Sequence, residues 1–330
     1  MLLALAAAGS LLVATFPRTA PTPAAMPAPI YLPLVQQSVI PKLVFGMGPT
    51  ASGARKSALA LQSPLGLLTT WYNGPSDLTW MASWKQNVIP QAYAAGYALH
   101  LIVYVDGAES TIATSYGSAC GRPYPLSVGF LDDMRQLAQI FAGSASAPAL
   151  YVTLFTEFQT YPCTDNAWSP NAPTTAYYRM LKDRYLAARD EIKQHAPNAH
   201  VALGWGGWQT RWDDPAQGAG RSMFPYFEDV LRASDFQSFQ AMSSDSNIED
   251  VRAMVKLLGA YGPVLLAHYK PDNGSQATFE HDLRAMLTDA YLTEVTRDGL
   301  FAMSFMDEKN MDASASFFQF AKQAVQRYAR

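Results

Sequence analysis

Three carboxylates in this chain stand at one depth behind the start of an apolar run. Asp106 falls eight residues after Ala98, Glu157 eight after Ala149, and Asp307 eight after Gly299. Two carboxyl groups across a cleft can divide acid and base work, provided their surroundings push their pKa values apart. Glu157 is the leading candidate. It closes the run "ALYVTLFTE", and no helix starts behind it; the next helical pattern begins near Thr175. The loop between carries Phe158, Tyr161, Cys163, Asp165 and Trp168. Acids after strands also serve as helix caps or loop ion-pair partners, but neither role calls for an aromatic loop. Phe158, Tyr161 and Trp168 would desolvate the acid and raise its pKa. Asp106 and Asp307 are candidate partners, or groups that orient a neighbour.

Other strand ends carry residues suited to holding a ligand. "HYKPD" supplies His268, Lys270 and Asp272; "FQSFQAM" supplies Gln237 and Gln240. "GWGGWQTRWDDP" supplies Trp205, Trp208 and Trp212, and "TTWYN" supplies Trp71, Tyr72 and Asn73. Flat apolar rings beside amides and acids suit a sugar, whose faces are C–H and whose rim is hydroxyl. The expected contacts are Trp71, Tyr72, Trp168, Trp205, Trp208, Gln240, His268 and Lys270, with the tryptophans partly exposed. Trp80 and Trp84, at helical spacing, read as core. His100 reads as packed within a strand, His195 and His200 as structural, and His281 as a surface residue. Only His268 falls at a lip, and the chain has no HxH pair or HExxH motif. No metal or other cofactor is therefore called for.

These residues need rigid elements beneath them. From Lys42 onward, eight short apolar runs alternate with helical periodicity: "LVFGMG", "LGLLTTWY", "ALHLIVYVD", "ALYVTLFTE", "HVALGWGG", "FQSFQAM", "PVLLAHYK" and "GLFAMSFMD". Near-continuous apolar strands are expected where a parallel sheet is covered on both faces. Tyr178, Leu181, Tyr185, Ala188 and Ile192 line one helix face. Phe279, Leu283, Met286 and Ala290 line another, and Phe317, Ala321, Ala324 and Tyr328 a third. "GPSDLTWMASWKQNVIPQAYAAG" reads as a helix broken or kinked at Pro90. The pattern predicts a single-domain α/β fold, a (β/α)8 TIM barrel over residues 42–330, with chemistry at the C-terminal ends of the strands. A doubly wound open sheet is the rival, but "FGMGPTASGAR" is a poor match to its glycine-rich turn.

The chain of 330 residues is 49% hydrophobic with a net charge of -3, which gives no electrostatic reason to bind nucleic acid. It shows no P-loop, no dinucleotide fingerprint and no recurring repeat. "LLALAAAGSLLVATF" reads as a signal peptide or N-terminal anchor over residues 1–25, and a Pro/Ala-rich linker fills 26–41. The protein is expected to be secreted, or held at a membrane by that segment, and monomeric. Export makes a bridge between its two cysteines, Cys120 and Cys163, the favoured reading, and they would join the loops after the third and fourth strands.

The layout from Lys42 onward resembles the clan A glycoside hydrolases, especially family-26-type β-mannanases and their secreted relatives. In that clan a Glu ends the fourth strand as acid/base, commonly after Asn, and a second Glu ends the seventh as nucleophile. "FTEF" places Glu157 in the first role, with Thr156 in place of Asn. "PVLLAHYKPD" places His268 where the nucleophile would fall, so the clan's retaining mechanism is not implied. The resemblance implies a hydrolase acting on a polysaccharide or oligosaccharide, with Asp106, Asp307 or Asp272 as partner carboxylate. Two other readings stand beside it: a non-hydrolytic carbohydrate-binding barrel, and a non-sugar hydrolase with an activated nucleophile near His268.

Overall fold

The computed structural model describes residues 40–164, 171–213, 223–271, 274–306 and 308–330. The N-terminal apolar run, nearly all of the Pro/Ala-rich segment, and Asp165, Trp168, Asp272 and Asp307 lie outside the described residues. In chain order the strands are β1 (Val44–Met47), β2 (Leu67–Tyr72), β3 (Ala98–Val103), β4 (Ser110–Thr114), β5 (Gly117–Gly121), β6 (Leu150–Leu154), β7 (Ala199–Gly206), β8 (Gln237–Ala241), β9 (Val264–Tyr269) and β10 (Leu300–Phe305). All except β4 and β5 pair in parallel as one closed barrel, in the order β1-β2-β3-β6-β7-β8-β9-β10. β10 returns to β1 in the register Val44↔Ala302 to Met47↔Phe305. Each of the eight apolar runs thus contains one barrel strand, and helices follow on the outside. This is the (β/α)8 barrel the alternation predicts.

Side chains alternate between the bore and the helix layer. Leu68, Leu101, Val152, Leu203 and Phe239 join the large cluster shared with the helices. Leu67, Ala202, Phe236, Leu265 and Ala302 instead form a small plug inside the N-terminal end of the bore, packed against Tyr151 and Phe301. Above this plug lies a belt of polar side chains. Ser304 bonds Thr69 at 2.7 Å, Thr69 meets His100 at 3.4 Å, His100 bonds Thr153 at 2.8 Å, and Thr153 bonds Ser238 at 2.8 Å. β2 and β10 are not neighbours, nor are β6 and β8, so these bonds cross the bore. All five residues are fully buried, and burial pushes the His100 imidazole down to about 3. It is neutral at any working pH.

The outer helices depart from the sequence reading in two places. The face from Phe279 to Ala290 is two helices, Gln276–Met286 and Asp289–Arg297, and Ala290 is exposed. Thr288 starts the second by accepting from the N–H of Tyr291, so a Thr cap interrupts the run. In the stretch around Pro90 the break falls earlier, at Asn87, which caps the helix Val88–Ala94. Pro90 sits in the first turn, where a backbone N–H has no helical partner to lose. Helices Ala172–His195 and Ala315–Tyr328 bury the predicted faces.

β4 and β5 form a hairpin on the loop after β3, turning at Gly117 with φ 105°. Its inner edge continues through a bridge from Gly121 to Pro162. A disulfide joins Cys120 to Cys163 with a Cα–Cα distance of 5.3 Å, and there are no free cysteines. Among the described residues no helix is long and apolar enough to cross a membrane.

Candidate active site

The chain leaves β6 through an unusual turn. Phe155 and Glu157 both hold left-handed backbone, with φ of 56° and 58°. That region disfavours a side chain bearing Cβ, and each such residue costs about 1–3 kcal/mol unless its surroundings over-determine it. Here they do. The N–H of Thr156 donates to Val103 on β3 at 3.0 Å, and the N–H of Glu157 donates to Gly204 on β7 at 3.0 Å. The Glu157 carbonyl accepts from the N–H and hydroxyl of Thr160. Phe155 turns outward and stacks on Phe130 at 4.8 Å; Phe158 packs on Trp205 at 4.9 Å and on Phe227 at 4.7 Å. The rings after the strand anchor the turn from behind and leave Glu157 half-buried at the barrel mouth.

Gly204 makes this turn possible. A Cβ there would stand 2.8 Å from the Cα of Thr156 and 2.9 Å from Cγ2 of Thr153. On the other flank, the buried Tyr161 hydroxyl donates to the Thr156 carbonyl at 2.9 Å and accepts from Val105 N–H at 3.1 Å. It ties the ends of β3 and β6 together. Burial pushes this phenol well above its ordinary range, so it stays protonated. The Arg122 guanidinium lies 4.8 Å over the Tyr161 ring and 5.6 Å over Tyr104, and donates to the Val105 carbonyl.

Across the mouth, His268, the last residue but one of β9, is fully buried. Its Nδ1 accepts the indole N–H of Trp71 at 2.5 Å, and the two rings overlap at 5.1 Å and 29°. Burial, with Lys270 and His100 nearby, holds the imidazole well below its usual range. Trp71 is half-buried and continues to Tyr104 at 6.1 Å. Gln240 stands opposite His268 in the β8–β9 register, and its Oε1 is buried with no partner. Trp208 is half-buried and folds over Gly206, where a Cβ would meet its ring at 2.5 Å. Lys270 is half-buried just beyond β9, its N–H on the Ala241 carbonyl at 3.2 Å.

The structure therefore brings Trp71, His268 and Gln240 together, and puts Glu157 and Trp208 at the ends of adjacent strands. It turns two expected contacts away. Gly204 and Gly206 face the bore, so Trp205 faces the helices, with no exposed surface and Phe224 at 4.6 Å. The expected partial exposure of Trp205 is not found. Trp71 faces in, so Tyr72 faces out, its hydroxyl on Asp133 at 2.8 Å. Asp106 does not share the depth of Glu157: β3 stops at Val103, and Asp106 is exposed on the way to the hairpin, capping Gly107 N–H at 2.9 Å. Trp84 is buried as expected, whereas Trp80 is 38% exposed and packs only edge-on against it. Trp168 and Asp307 cannot be placed, since both lie outside the described residues. No group of three or more metal-ligating side chains occurs among the described residues.

Sequence reasoning did not find Tyr104 and Arg122. The signal for Arg122 was its place two residues after Cys120, on the segment the disulfide ties to the loop after β6.

No protein-family model matches this sequence, and no curated protein does. Solved structures do match in fold, and those we compared are glycoside hydrolases by name. An exo-β-1,4-mannosidase from Opitutaceae bacterium strain TAV5 aligns over 87% of this chain and 60% of its own, at 11% identity and a TM-score of 0.51. A β-1,4-mannanase from the sea hare Aplysia kurodai aligns over 86% and 92%, at 11% identity and a TM-score of 0.47. A thermostable mutant of a xylanase from Cellvibrio japonicus aligns over 81% and 87%, at 13% identity and a TM-score of 0.45. The likeness to the mannosidase shows the fold, a (β/α)8 barrel, and nothing in it singles out family 26.

Proposed function

We propose that this chain is a secreted glycoside hydrolase acting on a polysaccharide or oligosaccharide, with Glu157 as its general acid. One observation carries the reading: Glu157 is held in left-handed backbone at a strand end, among aromatic rings, at the mouth of a (β/α)8 barrel. Strain of this kind collects at functional sites, and the C-terminal mouth is where this fold does chemistry. The partner carboxylate is Asp307, two residues after Phe305 in the sequence, or Asp106. A separation of about 5–5.5 Å between the two would give retention, and about 6.5–9.5 Å inversion. The disulfide supports an oxidising compartment, hence export. Trp71 and Trp208 supply the apolar faces for sugar rings.

A second reading is favoured by one observation. The last residue but one of the seventh barrel strand is a buried neutral imidazole, so a barrel that binds glycans without cleaving them is a specific rival. Incubating the protein with a panel of mannans, xylans and β-glucans, and assaying both new reducing ends and retention on the polysaccharide, separates the two. Reducing ends on any member support hydrolysis; retention without reducing ends supports the binding barrel.

A further inference from the structure

Resting on the proposed carbohydrate reading, we infer that His268 is a positioning residue, a neutral imidazole that fixes the Trp71 indole as a stacking platform for a sugar ring. The place at the end of the seventh barrel strand then serves to hold an aromatic and contributes no reacting group.

The geometry assigns both ring nitrogens. Nδ1 accepts the Trp71 N–H at 2.5 Å, so the single proton of the neutral ring sits on Nε2. Nε2 is buried on the side of the Phe305 carbonyl and of Gly48, the residue after β1, where a Cβ would stand 2.9 Å from it. Neither nitrogen is presented to a ligand, and the side chain is fully buried. A protonated ring would carry hydrogen on Nδ1 and lose the bond to Trp71, so the clamp requires the neutral form that burial enforces.

Trp71 has what His268 lacks. It is half-buried, stacked with the imidazole at 5.1 Å, and the Tyr104 ring is tilted at 58° to it with centroids 6.1 Å apart. An indole bonded at its N–H and overlapped by a second ring cannot swing between rotamers. A sugar stacking on it would not have to freeze the side chain on binding, which is worth about 2- to 10-fold in affinity.

The test reads indole N–H signals by ¹⁵N NMR on the full chain, with Trp71→Phe identifying the Trp71 signal. In the wild type that signal should be displaced by hydrogen bonding to nitrogen and slow to exchange with solvent. His268→Leu should return it to the ordinary position and weaken oligosaccharide binding about 2- to 10-fold through KM, with kcat little changed. His268→Gln, which keeps an acceptor, should restore both. The probes are mannohexaose, xylohexaose and cellohexaose, and the one that binds should move the Trp71 signal. A Trp71 signal indifferent to His268→Leu overturns the clamp, even if that variant is poorly folded, provided His268→Gln is equally silent. A kcat collapse at constant KM in His268→Gln, with the fold intact, overturns the positioning role and makes His268 a reacting group. Binding that moves other indoles but not Trp71 overturns the platform alone and leaves the hydrolase reading standing. Absence of any binding or cleavage, with the clamp signature present, overturns the carbohydrate reading and the platform role with it.

Discussion

Gly204→Ala should damage the turn that carries Glu157. The added Cβ would meet Thr156 Cα at 2.8 Å, Thr153 Cγ2 at 2.9 Å and Thr156 Oγ1 at 3.0 Å. A hydroxyl can rotate away, but Cα belongs to the backbone that Val103 and Gly204 hold by hydrogen bonds on either side. Relief requires β6 and β7 to part by several tenths of an ångström just where Glu157 is bonded. Overpacking of this kind costs about 1–3 kcal/mol. In a domain of this size that lowers Tm by about 2–12 °C. The functional loss should be larger than the stability loss, because a displacement near 1 Å can reduce turnover about 10²-fold. The assay is a thermal melt beside turnover on the substrate the wild type cleaves. Gly129→Ala is the control: its nearest neighbour would be Ser127 Oγ at 3.7 Å, and an exposed helix glycine replaced by alanine should gain about 0.5–1 kcal/mol. Wild-type Tm and turnover in Gly204→Ala would refute the argument that this glycine makes the turn.

Trp205→Ala should cost about 3–5 kcal/mol of stability, as expected for a fully buried aromatic, whereas Trp208→Ala should mainly weaken sugar binding; urea melts beside binding isotherms distinguish them. Acid should unfold the protein through its buried imidazoles. His100 has a folded pKa of about 3, below its unfolded value of about 6.5, so the unfolded chain binds the proton first. The stability is therefore full above about pH 6.5 and falls with pH at about 1.4 kcal/mol per unit for this one group, or about 2.7 kcal/mol by pH 4.5. Urea melts at pH 6.5 and 4.5 measure the loss, and His100→Gln should reduce the slope by one such contribution. Thiol titration of the unfolded, unreduced protein should find no free cysteine, and Cys120→Ser with Cys163→Ser should cost up to about 4 kcal/mol for a bridge spanning 43 residues.

The barrel was legible because each buried strand is a run of apolar residues, and eight such runs alternate with helical faces. The direction of side chains at the strand ends was less so. Trp205 looked like a lip residue until its place between two inward-facing glycines was known, and Tyr72 until Trp71 proved to be the inward neighbour. The hairpin β4–β5 was missed because "STIAT" is largely exposed and carries no apolar run. Equal spacing misled for Asp106, because depth depends on where a strand stops and not on where its run begins. The left-handed turn at Phe155 and Glu157 has no signature in those two residues; its trace is the glycine on the next strand. The link between Trp71 and His268 joins positions 197 residues apart and could come only from barrel closure.

Glu157→Gln tests the central claim most directly, measured on the same preparation for turnover and for binding of the polysaccharide the wild type cleaves. Glutamine keeps the shape of the side chain and its capacity to hydrogen-bond, but cannot release and recover a proton. The account predicts a fall in kcat of about 10²- to 10⁴-fold with binding and Tm close to wild type. Near-wild-type turnover in Glu157→Gln would contradict it and remove Glu157 from the chemistry.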